Sequence, residues 1–427
     1  MRMPKLFAAL MSICAAAVFL SSHAATGADD RVYVDISSPG MKRLPIAIQE
    51  FTGHQDGADM SEIVQDDLAW TGLFSFTDRA AHLETSDRPF DAENWKPLGV
   101  EIVAKGTLQL SPEGGYTALV SLYDVFAAEN IMKKRYSAEK GLLRLMSHKI
   151  AGDIYERITG GKGIFSSRIA YLTSEGGGTA LYVSDWDGRR PNRLLKKNDL
   201  MTAPHWSPDG RRLAYSAVKQ GKWGVYILNL DDMKEEVVLS TGKTDISGDF
   251  TPDGKYLLIS SSKKGTPDIY LMHIATKVLT RLTYSDYIEI SSTVSPDGKN
   301  IAFVSNRTGP PQVYIMGISD AEPRRLTYSG NYNTSPRWSP VGDRIAFSGI
   351  IDGRHQVFLI KPDGGALRQL TRTGNSEQPS FSPDGRCVVF ESDREGAKGV
   401  YMIRADGEDV MRISPPGVKA FGPSWSP

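Results

Sequence analysis

The segment Ser207-Pro208-Asp209-Gly210 recurs through the second half of the chain and decides its fold. Proline sets φ at the second position of a tight turn, aspartate bonds to nearby backbone, and glycine adopts the left-handed conformation. Each copy therefore predicts a tight hairpin between two strands. The later copies, spaced by 43 or 44 residues, are Thr251-Pro252-Asp253-Gly254, Ser295-Pro296-Asp297-Gly298, Ser339-Pro340-Val341-Gly342 and Ser382-Pro383-Asp384-Gly385, and Ser426-Pro427 ends the chain.

Two apolar motifs recur in phase with this turn, six times each. The first occupies residues 169–171, 213–215, 257–259, 301–303, 345–347 and 388–390, and the second residues 181–183, 225–227, 269–271, 313–315, 357–359 and 400–402. Short β-branched and aromatic runs with a period near 44 are typical of four-stranded antiparallel blades. A helical solenoid of similar period is disfavoured, because a Pro-Asp-Gly turn in nearly every unit interrupts helices. Residues 161–427 are therefore predicted to form an all-β six-bladed β-propeller.

The two ends of the repeat region are complementary. Residues 160–163 (Gly-Gly-Lys-Gly) stand where blade one should have its first strand and turn, whereas residues 423–427 resemble a first strand with nothing after it. We expect the C-terminal strand to complete blade one, because hydrogen bonding between the chain ends leaves no open sheet edge.

One bulky residue precedes the turn in most blades. A ring of stacking residues for a ligand is one interpretation, but packing between neighbouring blades is the favoured one, because blade stacking requires a large side chain at a fixed strand position. The residues are Trp206, Phe250, Trp338, Phe381 and Trp425, with Val294 in the remaining position.

Residues 25–160 carry no repeat and are predicted to form an α/β domain. Asp59 and Glu62 have the spacing of a capping box, which predicts a helix ending near Gly72. Apolar residues on one face predict a second helix that leads directly into the propeller. Strands are expected at residues 31–36, 45–51, 100–110, 116–124 and 131–137.

The first 24 residues are predicted to be a signal peptide with cleavage after Ala24. Arg2 and Lys5 precede an apolar run over residues 6–20, and small residues follow it. The alternative of a membrane anchor is disfavoured, because the run falls short of the roughly 20 apolar residues that span a bilayer. Removal of this segment leaves Cys387 as the single cysteine. An exported protein with one cysteine must be held together by its core rather than by internal disulfides.

Composition and motifs argue against several classes of function. The 427 residues include 50 basic and 50 acidic side chains, with a mean hydropathy of -0.29, which is typical of a soluble protein without a nucleic-acid partner. Neither G-x-S-x-G nor H-E-x-x-H occurs, and the histidines are scattered. Turn formation explains the turn aspartates without a metal. We therefore expect a protein that is not an enzyme and binds no cofactor or metal.

The order of motifs along the whole chain resembles the TolB family. The motifs that carry the resemblance are Arg31-Val32-Tyr33-Val34-Asp35-Ile36, Pro45-Ile46-Ala47-Ile48, Gly72-Leu73-Phe74, Trp95-Lys96-Pro97-Leu98-Gly99-Val100, Ile158-Thr159-Gly160, Ser167-Arg168-Ile169-Ala170-Tyr171, the Ser-Pro-Asp-Gly turns and the terminal Trp425-Ser426-Pro427. Val341 breaks one turn, and Gly176-Gly177-Gly178 loosens a loop of blade one.

The resemblance implies a periplasmic, non-enzymatic component of the Tol–Pal system, monomeric and peripheral to the outer membrane. Its expected partners are the lipoprotein Pal, bound by the propeller, and the C-terminal domain of TolA, bound by the N-terminal region. The expected role is outer-membrane integrity and envelope constriction during division. Two alternatives are a periplasmic propeller hydrolase and a propeller whose channel binds a sugar or metal. Hydrolysis of an ester or peptide panel would indicate the first, and calorimetric binding of Ca²⁺ or glycans the second.

Two regions are the candidate partner-binding sites: one face of the propeller and the mature N-terminus. We expect Pal to bind the face formed by the loops that enter the innermost strands, because two tyrosines there have the amphipathic character of interface anchors. The candidate residues are Asp199, Lys243, Thr244, Asp245, Tyr287, Asn331, Tyr332, Asn375, Ser376 and Lys419. The mature N-terminus is expected either to add to the sheet of TolA or to be the first strand of its own domain. Its candidate residues are Arg31, Val32, Tyr33, Val34 and Asp35.

Overall fold

The N-terminal part of the protein is a five-stranded sheet covered by helices. The computed structural model describes residues 43–320 and 322–427. The predicted signal peptide, its cleavage site after Ala24 and the predicted strand at residues 31–36 lie outside these residues. The sheet has the order β2-β1-β3-β4-β5, with β1 parallel to β2 and β3 and the remaining pairs antiparallel. Its strands are β1 (Leu44–Ile48), β2 (Phe74–Phe76), β3 (Ile102–Leu110), β4 (Tyr116–Asp124) and β5 (Glu129–Ala138).

Two helices, α1 (Gly57–Trp70) and α2 (Leu143–Thr159), pack against each other and against one face of this sheet. Alternation along the strands explains the two-sided burial: Ile46 faces the helices, whereas Ala47 faces a second cluster around Trp95. That cluster includes a long connection with three short 3₁₀ helices, Arg79–Ala81, Ala92–Asn94 and Lys96–Leu98. No helix in residues 43–320 and 322–427 is long and apolar enough to cross a membrane.

The predicted capping box at the start of α1 is wrong. The helix begins at Gly57, two residues before Asp59, and Asp56 at its N-cap makes no side-chain capping bond. The start is fixed instead by close packing, because a Cβ on Gly57 would lie 2.0 Å from the carbonyl oxygen of Phe51. The other end agrees with the prediction, since α1 stops at Trp70 and Gly72 has a φ of +69°.

The predicted propeller is confirmed, with six four-stranded antiparallel blades. Blades one to three contain β6 (Arg168–Glu175), β7 (Gly178–Asp185), β8 (Asn192–Lys197), β9 (Met201–Trp206), β10 (Arg212–Lys219), β11 (Lys222–Asn229), β12 (Glu235–Leu239), β13 (Asp245–Phe250), β14 (Tyr256–Ser261), β15 (Asp268–His273) and β16 (Leu279–Arg281). Blades four to six contain β17 (Glu289–Val294), β18 (Asn300–Ser305), β19 (Gln312–Gly317), β20 (Arg324–Arg325), β21 (Asn333–Trp338), β22 (Ile345–Ile351), β23 (Arg354–Ile360), β24 (Arg368–Gln369), β25 (Ser376–Phe381), β26 (Cys387–Ser392), β27 (Gly399–Arg404) and β28 (Val410–Arg412).

The ring closes as predicted, through the C-terminal strand β29 (Ala420–Trp425), which pairs with β6 as the innermost strand of blade one. The closure continues past the strand, because Ser426 donates its backbone N–H to the carbonyl of Arg168 and its Oγ accepts from the Arg168 N–H, both at 2.8 Å. No blade of the ring therefore lacks its inner strand.

The Pro-Asp-Gly turns have the geometry that the sequence predicts. Ser207 donates its hydroxyl to Asp209 Oδ1 at 2.5 Å, the Arg211 N–H donates to the same oxygen at 3.0 Å, and Gly210 has a φ of +66°. The corresponding aspartates in three other blades accept the same hydroxyl bond, and these are Asp253, Asp297 and Asp384. Each aspartate is thus engaged in shaping its turn.

The bulky residues before the turns pack between blades, which confirms the favoured interpretation. Trp206, Phe250, Phe381 and Trp425 are buried, and Trp338 is partly buried against its cluster. The indole of Trp425 also donates to Ser167 Oγ at 2.7 Å. Trp425 belongs to a hydrophobic cluster that continues from the N-terminal sheet and helices into blades one and six.

Candidate partner-binding surfaces

The propeller has two different ends, which we call the mouth and the turn end. The innermost strands run toward the Pro-Asp-Gly turns, so the turn end carries those turns and the loops between third and fourth strands. The mouth carries the loops that lead from the outer strand of one blade to the inner strand of the next. Trp70 and Tyr155 of the N-terminal helices lie beside Trp186 and Asp384 at the turn end. The described part of the N-terminal domain, from residue 43 onward, therefore packs at the turn end and does not cover the mouth.

Most of the residues predicted to bind Pal lie at the mouth with accessible side chains. Asn375 is only half-buried, and it bonds Asp393 through both its backbone and its side chain. The exposed residues are Asp199, Lys243, Thr244, Tyr287, Asn331, Tyr332 and Lys419. These positions have the access that a contact surface requires.

Asp245 and Ser376 are different, because both are completely buried. The carboxylate of Asp245 accepts bonds from the Thr241 N–H at 2.7 Å and from the Ser261 hydroxyl at 2.6 Å. Their position recurs as the first residue of every inner strand and is buried in every blade, at Met201, Asp245, Glu289, Asn333, Ser376 and Ala420. The sequence analysis placed Asp245 at the surface because its side chain is polar. In the structure, its carboxylate accepts hydrogen bonds inside the blade. It shapes the loop rather than offering a free carboxylate, so changing it would also perturb the fold.

The structure adds exposed residues with large apolar side chains to the mouth that the sequence analysis did not select, including three on the loops that carry Tyr287 and Tyr332. Tyr284 is 71% exposed and Tyr328 74% exposed, and Ile288 is exposed beside Tyr287. A repeated signal was present, since Arg-Leu-Thr-Tyr-Ser occurs at residues 281–285 and again at residues 325–329. We define the mouth patch as Tyr284, Tyr287, Ile288, Tyr328 and Tyr332.

Buried side chains and hydrogen bonds to the backbone hold the loops that carry the mouth patch in place. Leu282 and Leu326 are buried, and the hydroxyls of Thr283 and Thr327 accept the backbone N–H of Ile269 and Val313 at 2.9 and 3.0 Å. The guanidinium groups of Arg281 and Arg325 lie 4.8 and 5.0 Å from the centres of the Tyr284 and Tyr328 rings. Tyrosines that are ordered before a partner arrives lose little conformational entropy on binding.

A polar ring lines the channel between the two ends, with one residue from each inner strand. The sequence analysis missed it because His205, Asp249 and Arg337 differ in type and contact one another only after folding. His205 Nδ1 lies 2.7 Å from Asp249 Oδ1, and Arg337 Nη1 lies 2.5 Å from that same oxygen. The equivalent residues of the six blades are His205, Asp249, Thr293, Arg337, Ser380 and Ser424.

Burial and the nearby charges decide how this ring titrates. Burial, with Arg337 alongside, lowers the pKa of His205 to about 4, because a second positive charge there has neither water nor free counter-ion. Burial raises the pKa of Asp249, but Arg337, His205 and the Thr293 hydroxyl outweigh it and hold that pKa below its usual range. The Asp249 carboxylate is thus already shared among three side chains.

The segment predicted to bind TolA, residues 31–35 with Arg31, Val32, Tyr33, Val34 and Asp35, lies outside the described residues. Among residues 43–320 and 322–427, the five-stranded sheet has β2 at one edge and β5 at the other. Within these residues, β2 pairs with β1 alone and β5 with β4 alone. The TolA contact stays a prediction.

Two family models match this chain. The "TolB beta propeller domain" matches residues 155–427, and the "TolB amino-terminal domain" matches residues 32–131. The first match alone covers more than half of the chain.

Curated relatives agree with the family models. The chain is 34% identical over 180 residues to "Tol-Pal system protein TolB" of Bordetella avium, which covers 42% of this chain and 41% of the relative. It is 32% identical over 202 residues to the protein of the same name from Polaromonas naphthalenivorans, covering 47% and 46%. The aligned part thus spans less than half the length of these relatives.

Solved structures show the same architecture. TolB from Acinetobacter baumannii superposes with a TM-score of 0.81 at 28% identity, covering 90% of this chain and 97% of that one. A chain of a nidogen/laminin complex, at 8% identity and a TM-score of 0.50, shares the fold alone, covering 61% of this chain and 98% of that one. With both halves matched in order and the propeller matched throughout, the chain belongs to the TolB family.

Proposed function

We propose that this protein is a non-enzymatic periplasmic component of the Tol–Pal system that binds Pal through the propeller mouth and TolA through its N-terminal segment. The observation that carries the proposal is the mouth patch, a group of exposed aromatic residues on well-held loops. The family assignment supports it, because the curated relatives are named as Tol–Pal system proteins rather than as enzymes.

The mouth patch has the chemistry of a protein-binding site. Tyrosine contributes a large apolar area and a hydroxyl at a small entropic cost, and such residues dominate the energy of many interfaces. Lys243 and Lys419 are exposed on other loops of the same end, and Asn331 is exposed beside Tyr332 on its own loop. An apolar centre with polar and charged groups around it is the usual anatomy of a reversible protein interface.

The N-terminal segment would supply the second contact. Residues 32–36 alternate apolar and polar side chains, which suits a strand that pairs through its backbone with the edge of another sheet. A protein that holds an outer-membrane lipoprotein at one site and an inner-membrane-anchored protein at the other would couple the two membranes. This coupling is the proposed basis for outer-membrane integrity and for envelope constriction during division.

The experiment that tests the Pal contact is calorimetric titration with the purified periplasmic domain of Pal. The double variant Tyr287→Ala/Tyr332→Ala should bind at least about tenfold more weakly, which corresponds to about 1.4 kcal/mol. Phe126→Ala is the matched control, because Phe126 is equally aromatic and 74% exposed but lies in the N-terminal domain. Unchanged affinity in a folded double variant would place the Pal site elsewhere.

A deletion tests the TolA contact separately. Removal of residues 25–35 should abolish binding of the TolA C-terminal domain while leaving Pal affinity within a few-fold of normal. Full TolA affinity in the folded truncated protein would mean that this segment is only structural. Circular dichroism on each variant separates loss of binding from loss of fold.

A further inference from the structure

A histidine and two aspartates come together where the N-terminal domain meets blade one. His148 lies on α2, Asp185 is the last residue of β7, and Asp187 lies in the loop that follows. One potential ligand atom from each residue lies within 4.8 Å of the others, the one such group of three among residues 43–320 and 322–427. The three residues belong to the two halves of the molecule, so anything they hold together would connect those halves.

Two buried polar atoms in this group have no hydrogen-bond partner. His148 is 1% exposed, and its Nε2 makes no hydrogen bond; Oδ2 of Asp185 is buried and equally without a hydrogen bond. A buried polar group left unsatisfied is destabilising, so such atoms usually contact water or an ion.

The contacts of Nδ1, the other ring nitrogen of His148, fix the orientation of the ring and the position of its proton. Nδ1 lies 2.6 Å from Oδ2 of Asp67 on α1. The indole nitrogen of Trp186 lies 3.5 Å from Nδ1, at the outer limit of hydrogen bonding, so the shorter contact decides the tautomer. A proton on Nδ1 toward Asp67 leaves the lone pair of Nε2 free. A carboxylate that holds the far nitrogen of a histidine in this manner is the usual outer partner of a metal-binding imidazole.

We propose that His148, Asp185 and Asp187 bind a divalent transition metal such as Zn²⁺. One neutral imidazole and two carboxylates are ligands that Zn²⁺ accepts, and three protein ligands leave a further coordination position for water. Asp187 borders a cavity of about 740 Å³ between the domains, which Asp67 and Trp186 also line. One side of the proposed site therefore adjoins space from which water or an ion could approach.

Nearby arginines limit the affinity without filling the site. Asp187 accepts bonds from the Arg144 side chain and from the Arg189 N–H at 3.0 Å. A carboxylate has about four lone-pair positions, so Asp187 retains capacity for a metal. Arg190 lies 3.9 Å from Asp185, too far for a hydrogen bond. We expect binding to be weaker than at a closed four-ligand zinc site because these positive charges remain close.

The consequence of occupancy would be a clamp between the two domains. The metal would join α2 to the loop after β7, beside the Arg144–Asp187 ion pair that already joins these elements. A ligand that binds only the folded state raises the free energy of unfolding with the logarithm of its concentration above the dissociation constant, so the metal should stabilise the junction. This inference does not depend on the mouth patch or on either proposed partner.

The test is a titration of the tag-free, chelator-treated mature protein with Zn²⁺, followed by calorimetry and by thermal unfolding. One equivalent should bind, and the melting temperature should rise by several degrees. Co²⁺ in place of Zn²⁺ should give visible absorption bands from a nitrogen- and oxygen-ligated ion. Absence of binding at about 0.1 mM Zn²⁺, a concentration that would detect a weak site, would overturn the proposal. It would indicate that water, rather than a metal ion, contacts these atoms.

Asp185→Asn is the decisive variant, because the unbonded Oδ2 lets an amide replace the carboxylate without loss of a hydrogen bond. This variant should bind Zn²⁺ at least tenfold more weakly than the wild type. Its melting temperature should no longer rise when Zn²⁺ is added. The matched control is Asp231→Asn, since Asp231 occupies the place of Asp187 in blade two but is exposed and paired with Arg211. The control should bind like the wild type. Equal binding by folded Asp185→Asn would show adventitious sites and contradict the proposal.

Discussion

The two ends of the propeller differ in how they use equivalent positions. At the turn end, four of the blades have the same Ser/Thr-Pro-Asp-Gly residues with the same hydroxyl-to-carboxylate bond. At the mouth, the position two residues before each inner strand carries Asp199, Lys243, Tyr287, Asn331, Gly374 and Val418. At the turn end, repetition thus marks residues that build the framework, whereas the mouth positions differ from blade to blade.

The same division occurs within a single loop. In residues 281–285 and 325–329, the leucine is buried and the threonine hydroxyl accepts a backbone N–H. The tyrosine that follows the threonine is exposed. Framework and recognition residues are therefore neighbours in sequence. Burial, rather than residue type, separates them.

The largest expected effect is on stability at the turn end. Trp425→Ala should destabilise the protein by about 3–5 kcal/mol, because it leaves a cavity in the core at the ring closure and removes the partner of Ser167. Tyr328→Ala at the mouth is the control and should cost less than about 0.5 kcal/mol, since it is exposed. Denaturant unfolding of both variants measures the difference. Equal losses would contradict the contrast between the two ends.

The polar ring between the ends predicts a pH dependence. His205 has a pKa of about 4 in the folded protein, against about 6.5 when unfolded, so the unfolded chain binds the extra proton first as the pH falls. Stability is then fully present above pH 6.5 and decreases by about 3 kcal/mol on acidification to pH 4. Between pH 7 and 4.5, the stability of His205→Asn in urea unfolding should decrease by about 2 kcal/mol less than that of the wild type. An identical pH profile for both proteins would mean that His205 is not the group responsible.

At the mouth the expected effect is on binding and not on stability. The pair Tyr284→Ala/Tyr328→Ala removes two exposed rings, so the free energy of unfolding should change by less than about 0.5 kcal/mol. Pal affinity should fall about tenfold or more, or about 1.4 kcal/mol. Calorimetry with the Pal periplasmic domain measures it. Loss of fold together with loss of binding would show that these tyrosines are framework residues.

The smallest expected effect is a gain at the one turn that departs from the repeat. Val341 stands where other blades have aspartate, and its side chain is exposed. Val341→Asp should accept the Ser339 hydroxyl as Asp209 accepts that of Ser207, which should stabilise the protein by about 0.5–1 kcal/mol. Val341→Ala is the control and should give no gain. A destabilised aspartate variant would show that the turn does not need this bond.

Much of the fold was predictable because it is repeated. The turn motif, the apolar segments and the unmatched ends together specified six blades and their closure, which the pairing of β29 with β6 confirms. The start of α1 was not predictable from Asp59 and Glu62. It depends on a close approach of Gly57 to Phe51, which is a tertiary contact.

The candidate sites were predictable only in part. The spacing of 44 placed Tyr287 and Tyr332 at the mouth, but it could not distinguish exposed residues from the buried first residue of each strand, such as Asp245. The polar ring and the junction group were missed for a different reason. His205 and Arg337, like His148 and Asp185, are distant in sequence and meet only after folding.

The central claim is that the mouth binds Pal and the turn end does not, and hydrogen–deuterium exchange tests it most directly. The full mature protein is compared with and without a saturating amount of the Pal periplasmic domain. The account predicts slower exchange in residues 284–288 and 328–332, with no change in the turns at residues 207–210 and 251–254. Protection of those turns, with unchanged exchange in the mouth loops, would contradict it.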